Sequence, residues 1–474
     1  MKSVCTASLG LMTRFALMLI ALLPFSVLAA EDNSTEITAL VGATVIDGTG
    51  SAPRTEAVVL LKGEHIAAVG GQNGVSIPTN ARVIDARGKW IVPGLIDAHV
   101  HFFQSGGLYT RPDIIDLRHM RPYPDEIAWI EQHLPDTFAR YLASGVTSVI
   151  DFGGPFWNFQ VRDLARRMLV APRVAVAGPL IATYMPSELK TDDPPLIEVN
   201  SAKEARAVVQ RELAYRPDLI KIWFIPRSGQ DLATQTELVR AAIEESHAGD
   251  VRVAVHATQL EVARAAVLAG ADILAHSVDD SEVDDDFIRL LKDRKVVYVT
   301  TLVVNEGYRE VLGQTVQLTD IEHRLGNPEV IATFADLARL PAWKTPFWAR
   351  WSVVWPSQKI MFSNLKRLQQ SGVTIAAGTD AGNIGTLHGP GLHREFELMA
   401  EAGLSPQEIL TAATRGGARV MGRESELGTI ENGKLADLLL LNADPLNDIT
   451  HLRCIYRVVK GGVVLDPEEL VKAK

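Results

Sequence analysis

The sequence predicts an α/β protein: a TIM-type (β/α)8 barrel with a small β-sandwich formed from both ends of the chain. Three observations lead there. Across the middle of the chain, eight short apolar runs alternate with amphipathic helical stretches, the rhythm of successive βαβ units. On both sides of that region lie strand-like segments without helices. The 474 residues, 47% of them apolar, suffice for one large barrel and a second small domain. The expected division is a signal peptide over 1–29, the first part of the sandwich over 30–92, the barrel over 93–423 and the second part of the sandwich over 424–474.

The N-terminal segment stands apart. Lys2 and Arg14 precede a mostly apolar run, Phe15–Leu28, and Val27-Leu28-Ala29 offers small residues for a cleavage site. The run is short for a transmembrane helix, and no other segment of about 20 apolar residues exists. The expectation is export, to a bacterial periplasm, of a protein that keeps no stable membrane insertion. With Cys5 inside this segment, Cys454 would be the only cysteine of the exported chain, so no intrachain disulfide is available. Its strand-like neighbourhood suggests a buried core thiol.

Residues 36–92 read as a meander. Ala39–Ile46 ends in the turn signal Asp47-Gly48-Thr49-Gly50, and Lys62-Gly63 and Gly70-Gly71 close the next two runs. The eight barrel strands are expected near Leu95–Phe102, Val146–Phe152, Arg173–Ala177, Leu219–Phe224, Arg252–His256, Asp272–His276, Val296–Thr301 and Val373–Thr379. Near-continuous apolar runs suit parallel strands covered on both faces. Ser201 with Glu204 outlines a capping box that opens a helix to about Tyr215. Thr234–His247, Leu260–Ala269 and Asp284–Arg294 carry apolar spacings of three and four. A long connection, Leu302 to Gly372, separates the seventh and eighth runs and holds Trp343, Phe347, Trp348, Trp351 and Trp355. A long connection on this face of a barrel suits a lid, although most of these rings are expected simply to pack it against the wall. Ala436–Leu441 and Ile455–Leu465 return to the strand pattern.

Chemistry-bearing residues sit at the ends of five of the eight runs. His99 and His101, in V-P-G-L-I-D-A-H-V-H, are two apart, so a strand directs both imidazoles to one face. Lys221 lies in the fourth run, His256 ends the fifth, His276 ends the sixth, and Asp380 follows the eighth in G-T-D-A-G. Singly, each has a bland explanation: a satisfied core histidine, a paired lysine, a turn aspartate. Together and in order, they would converge at the C-terminal mouth of a barrel, where catalytic residues of this architecture gather.

These motifs resemble the amidohydrolase superfamily in its binuclear form, and within it the imidazolonepropionase-related and prolidase-like metal-dependent hydrolases. G-K-L-A-D-L-L-L-L at Gly433–Leu441 resembles the family's C-terminal strand, so the likeness spans nearly the whole chain. The resemblance implies two divalent metal ions, with zinc expected: His99, His101 and Asp380 hold one, and His256 and His276 the other. It also implies that Lys221 is carboxylated and bridges them. A plain ammonium has no lone pair, so Lys221 ligates only as a carbamate. The implied reaction is attack on a C–N amide by a hydroxide held between the metals, with Asp380 carrying the proton to the leaving amine. Tyr184 and His388 are candidate donors to the oxyanion, and Arg227 is a candidate two-pronged grip on a substrate carboxylate. Trp223-Phe224-Ile225-Pro226 after Lys221 departs from the small or glycine-rich residues of such relatives.

The expected substrate is a small molecule: a dipeptide or an N-acyl amino acid. Cyclic-amide hydrolysis, deamination, and lactone or organophosphate hydrolysis are the alternatives. A histidine followed by Ala257-Thr258 rather than a glutamate, together with the fourth-strand lysine, weighs against a deaminase. A non-catalytic metal-holding barrel is disfavoured because every ligand position is filled. A formal net charge of −10 excludes nucleic acid as a natural partner. Assembly into a homo-oligomer is left open.

Overall fold

The computed structural model describes residues 36–226, 229, 231–340 and 358–472. The signal-like segment, Arg227 and the tryptophan-rich stretch 343–355 lie outside them. Five strands come first: β1 (Ile37–Val45), β2 (Arg54–Lys62), β3 (His65–Gly71), β4 (Arg82–Asp85) and β5 (Trp90–Pro93). Three more end the chain: β16 (Leu438–Leu441), β17 (Ile455–Lys460) and β18 (Val463–Leu465). All eight belong to one sheet, joined where β16 runs antiparallel to β5, Leu438 opposite Pro93 and Leu441 opposite Trp90. Both chain ends thus build one eight-stranded sheet, where the sequence led to the expectation of a two-layered sandwich. Leu40, Leu61, Ile91, Leu438 and Leu440 bury their side chains in its core. Cys454, by contrast, is exposed just before β17; it follows a 3-10 turn, not a covered strand position.

The middle of the chain supplies β6 (Leu95–Val100), β7 (Val146–Asp151), β8 (Arg173–Val176), β9 (Leu180–Ala182), β10 (Leu196–Glu198), β11 (Ile220–Trp223), β12 (Val253–His256), β13 (Ile273–Ala275), β14 (Val297–Val299) and β15 (Thr374–Ala376). All eight runs read from the sequence are strands. β9 and β10, which no α-helix separates from β8 or from each other, were not anticipated. The ladders form a parallel three-stranded sheet, β6-β7-β8, and a parallel seven-stranded one, β10-β9-β11-β12-β13-β14-β15. Backbone bonds stitch β6 to the segment after β15: Ala98 N–H to Ala377 O at 2.9 Å, Asp380 N–H to His99 O at 2.7 Å and His101 N–H to Ala381 O at 2.8 Å. Inward residues of successive strands, among them Ile96, Ile150, Ala175, Ala254, Ile273, Val297 and Ala376, share one core.

Helices cover the outer faces. The helix Ala202–Leu213 starts where Ser201 accepts from Glu204 N, although Glu204 reaches back to Asn200 N instead of completing the box at Ser201. Leu260–Ala269 ends at Gly270, whose φ of 112° supplies the left-handed C-cap. A 21-residue helix, Tyr123–Ala143, fills the first βα connection. No helix among the described residues is long and apolar enough to cross a membrane.

Candidate metal centre and cleft

His99, His101, Lys221, His256, His276 and Asp380 come together at the C-terminal ends of the parallel strands. The motif G-T-D-A-G owes its glycines to that meeting. A Cβ at Gly378 would stand 2.9 Å from His99 Cβ and 3.0 Å from His99 N, and one at Gly382 would stand 2.4 Å from His101 O. Only glycine lets the last strand lie so close to the first. Asp380 and His276 both adopt left-handed backbone, φ 60° and 77°. This conformation is uncommon for side-chain-bearing residues, and its cost is characteristic of functional sites.

His99 Nε2, His101 Nε2 and Asp380 Oδ1 form a near-equilateral triangle: 3.2 Å between the two imidazole nitrogens, 3.3 and 3.2 Å from each to the carboxylate. Ligands about 2.0–2.1 Å from a tetrahedral ion stand about 3.3 Å apart, so this triangle has the dimensions of one face of such a site. His101 Nδ1 lies 2.7 Å from Gly153 O, which only an N–H can satisfy, so a neutral His101 turns a bare lone pair toward the triangle. His276 Nδ1 is 2.9 Å from Thr301 Oγ1 and 3.9 Å from Asp380 Oδ2. Ligand atoms of His99, His276 and Asp380 all lie within 4.8 Å of one another. His256 packs edge-on against His276, ring centres 4.4 Å apart.

Electrostatics favour the ligating forms. Burial, with Lys221 nearby, holds His99 well below the ordinary imidazole value; burial, then His276 and Lys221, does the same to His256. His276 falls to about 3, chiefly through burial. Burial opposes the Asp380 carboxylate, but His99, His101 and His276 outweigh it and keep it well below its usual range. Lys221 is 1% exposed, its Nζ has no hydrogen-bond partner, and burial brings it down to about 7. A neutral, unpartnered amine beside imidazoles is the form that reacts with carbon dioxide, and a carbamate would give the orphaned atom its partners. The residues therefore fit a divalent metal.

Above them opens a cleft of about 230 Å³. One wall is apolar, with Ile114, Leu180, Leu189, Leu196 and Trp223. On the polar side, Arg111 is held by Asp113 through Nε–Oδ1 and Nη2–Oδ2 contacts of 2.8 and 2.6 Å, and its Nη1 donates to Tyr308 Oη at 2.9 Å and to Asn383. The sequence reading missed Arg111, Tyr308 and Asn383. Arg111-Pro112-Asp113 in the loop after the first strand was the available signal, but Tyr308 lies 197 positions on.

The remaining candidates fare differently. His388 is not in this cleft. Its Nε2 donates to Gln104 O and its Nδ1 accepts from Tyr141 Oη, both at 2.8 Å, and its ring stacks on Phe102. With both nitrogens committed and the ring buried, it has no donor left for an oxyanion, which corrects the role expected of it. Tyr184 is 42% exposed and stacks on Trp223, ring centres 6.3 Å apart, one residue removed from the cleft wall. Arg227 lies outside the described residues.

Buried imidazoles and one carboxylate at the mouth of parallel strands define a metal-dependent hydrolase of the TIM-barrel type. The chain belongs to the amidohydrolase family, whose model matches residues 90–465. It is 23% identical over 450 residues to the imidazolonepropionase of Alkaliphilus metalliredigens, covering 87% of this chain and 91% of that one. It is also 23% identical to a 5-methylthioadenosine/S-adenosylhomocysteine deaminase of Symbiobacterium thermophilum, over 90% of each. A Xaa-Pro dipeptidase crystallised with bound methionine superposes with a TM-score of 0.68 at 25% identity, covering 91% of this chain and all of that one. Molinate hydrolase shares the fold, with a TM-score of 0.68 at 23% identity. The protein is thus an enzyme acting on carbon–nitrogen bonds.

Proposed function

We propose that this enzyme hydrolyses the amide bond of a small substrate, a dipeptide or an N-acylated amino acid, at a two-metal centre. The observation that carries the reading is the 3.2–3.3 Å triangle of His99, His101 and Asp380 beside the orphaned amine of Lys221. His99, His101 and Asp380 would hold one ion and His256 and His276 the second, zinc in both, with a carboxylated Lys221 between them. When bound, the metal polarises the scissile carbonyl and acidifies water.

The chain's own residues do the rest. Gly153 fixes the tautomer of His101 and Thr301 orients His276. Asp380 takes the proton of the attacking water and delivers it to the leaving nitrogen. The apolar wall excludes water from the side-chain subsite. Similarity to a Xaa-Pro dipeptidase supports the peptide-like substrate, and the structural role of His388 leaves the oxyanion donor to be sought among Arg111, Tyr308 and Tyr184.

The test is metal stoichiometry and the chemical state of Lys221, by elemental analysis and a high-resolution map, followed by a panel of dipeptides and acyl amino acids. Two ions with extra density on Lys221, and turnover of the panel, support the reading. One ion beside a bare lysine would sink it and bring deamination or cyclic-amide hydrolysis forward. Export remains a proposal on residues 1–29; a secreted protein whose sequence starts at residue 30 would support it.

A further inference from the structure

Two carboxylates, Asp279 and Asp380, line the cleft, and among the described residues only Asp380 meets partners of opposite sign or imidazoles. Arg111 is neutralised by Asp113. Asp380 faces His99, His101 and His276. Asp279, three residues beyond His276, lines the same cleft. Among the described residues its side chain makes no ion pair and no hydrogen bond to another residue. Its acidic neighbours are already employed: Asp280 Oδ1 accepts from Leu260 N at 2.9 Å, at the first residue of the helix Leu260–Ala269, and Asp284 caps Asp285–Asp293 and pairs with Arg264 at 2.7 Å.

Its position is built. Asp279 N–H donates to Thr258 O at 2.9 Å, tying the loop after β13 to the turn after β12, and Thr258 lines the cleft as well. The residue is half-buried, and burial, then Asp280, raises its carboxyl to about 7. It also lies outside the close cluster of His99, His276 and Asp380. A carboxylate kept partly from water in a substrate cleft, with no cation among the described residues to meet it, is stabilised by a ligand that brings one.

We propose that Asp279 anchors a protonated amine of the substrate. The amides this enzyme prefers then carry a free ammonium group near the scissile bond, as dipeptides do and N-acylated amino acids do not. The inference rests on the hydrolase reading and narrows it. In such a pose the ammonium meets Asp279 while the adjoining side chain faces Leu189, Leu196 and Trp223.

The test uses the full-length, metal-loaded enzyme. Its substrates are dipeptides, their Nα-acetyl counterparts, and Nα-acetyl dipeptides beginning with lysine, whose only cation is in the side chain. The expected result is a kcat/KM advantage of about tenfold or more for at least one cationic set over the uncharged acetylated set. Asp279→Asn abolishes that advantage while leaving the uncharged set within about twofold, and Asp279→Glu retains it. Whichever cationic set depends on Asp279 identifies the α-ammonium or the side-chain ammonium as the partner. Equal rates for cationic and acetylated substrates, or equal losses across all sets in Asp279→Asn, overturn the proposal and leave the hydrolase reading intact. Calorimetric binding of an amino acid amide to wild type and to Asp279→Asn gives a second readout that needs no turnover. Equal affinities there overturn the proposal even if no amide in the panel is cleaved, whereas absent cleavage with Asp279-dependent binding tells against the hydrolase reading alone.

Discussion

Asp97 and Thr379, 282 positions apart, are joined by a 2.7 Å hydrogen bond from Thr379 Oγ1 to Asp97 Oδ2. Asp97 Oδ1 also accepts from the backbone N–H groups of His99 and Thr379, at 3.3 and 3.1 Å, and Thr379 Oγ1 accepts from Ala381 N at 3.0 Å. Both side chains are fully buried. The pair therefore fixes the segment bearing His99 against the segment bearing Asp380. Thr379→Val leaves two buried polar groups unmet, at about 1–3 kcal/mol each. The expected outcome is a lower melting temperature and a fall in kcat of about tenfold or more, because on the proposed mechanism a small displacement of the Asp380 carboxylate is costly. Thr379→Ser, which keeps the hydroxyl, should recover most of both. Unchanged kcat in the Val variant would show that Asp380 needs no such support.

Lys221 gives a prediction of opposite sign for stability. Its Nζ is buried without a partner, so in metal-free, carbon-dioxide-free protein it costs stability instead of contributing it. Lys221→Met, of similar shape, should melt at or above the wild-type temperature in the metal-free state. The same variant should lose about a hundredfold or more in kcat and retain fewer metal ions. A melting temperature several degrees lower would mean that Lys221 holds the fold, and the bridging role would lose its main support.

How far the sequence revealed all this depends on range. Parallel strands buried on both faces read as continuous apolar runs, so all eight barrel strands were visible, and the candidate ligands were visible because they lie in those runs or at their ends. Local signals also sufficed for Ser201 and for the helix Leu260–Ala269. What escaped was set by contacts far apart in sequence. His388 follows Asp380 closely and looked apt for catalysis; nothing local shows that Tyr141, 247 positions earlier, claims its Nδ1. Asp97 sat in plain view within D-A-H-V-H, but its partner lies 282 positions further along the chain. β9 and β10 are no shorter than β13, β14 and β15, but no α-helix lies between β8 and β10, so they lack the strand–helix alternation that marked the others.

The position of His388 makes its own prediction. Its ring is neutral, and burial lowers its pKa to about 4. A depressed pKa means its contribution to stability is complete above the unfolded value of about 6.5 and is lost as pH falls through about 4. His388→Phe should lose about 2–4 kcal/mol at pH 7.5, because Tyr141 Oη and Gln104 O both lose their partners, and its deficit should shrink at pH 4.5. Denaturant titrations at the two pH values measure this. A catalytic His388 would instead leave stability untouched and shift the pH dependence of kcat.

Glu395 carries the converse pH dependence. It lies fully buried on the helix Gly391–Glu401, its Oε2 accepts from Val303 N at 2.8 Å, and the Thr300 hydroxyl and Leu302 N–H also face the carboxyl. Burial raises its carboxyl from 4.5 to about 7. Because the folded state then holds the proton more tightly than the unfolded one, the stability it contributes is complete below about 4.5 and is lost as pH rises through about 7. Above that pH the fold must bury a charge whose desolvation outweighs the donors around it, Thr300, Leu302 and Val303. Glu395→Gln keeps the acceptor for Val303 and removes the charge, so the variant should gain on wild type as pH rises from 5 to 8.5, by an upper bound of about 3 kcal/mol. Thermal melts of both proteins at the two pH values provide the measurement. If the gap between them does not move toward the variant at pH 8.5, Glu395 is ionised throughout that range and a cation or water must be stabilising it.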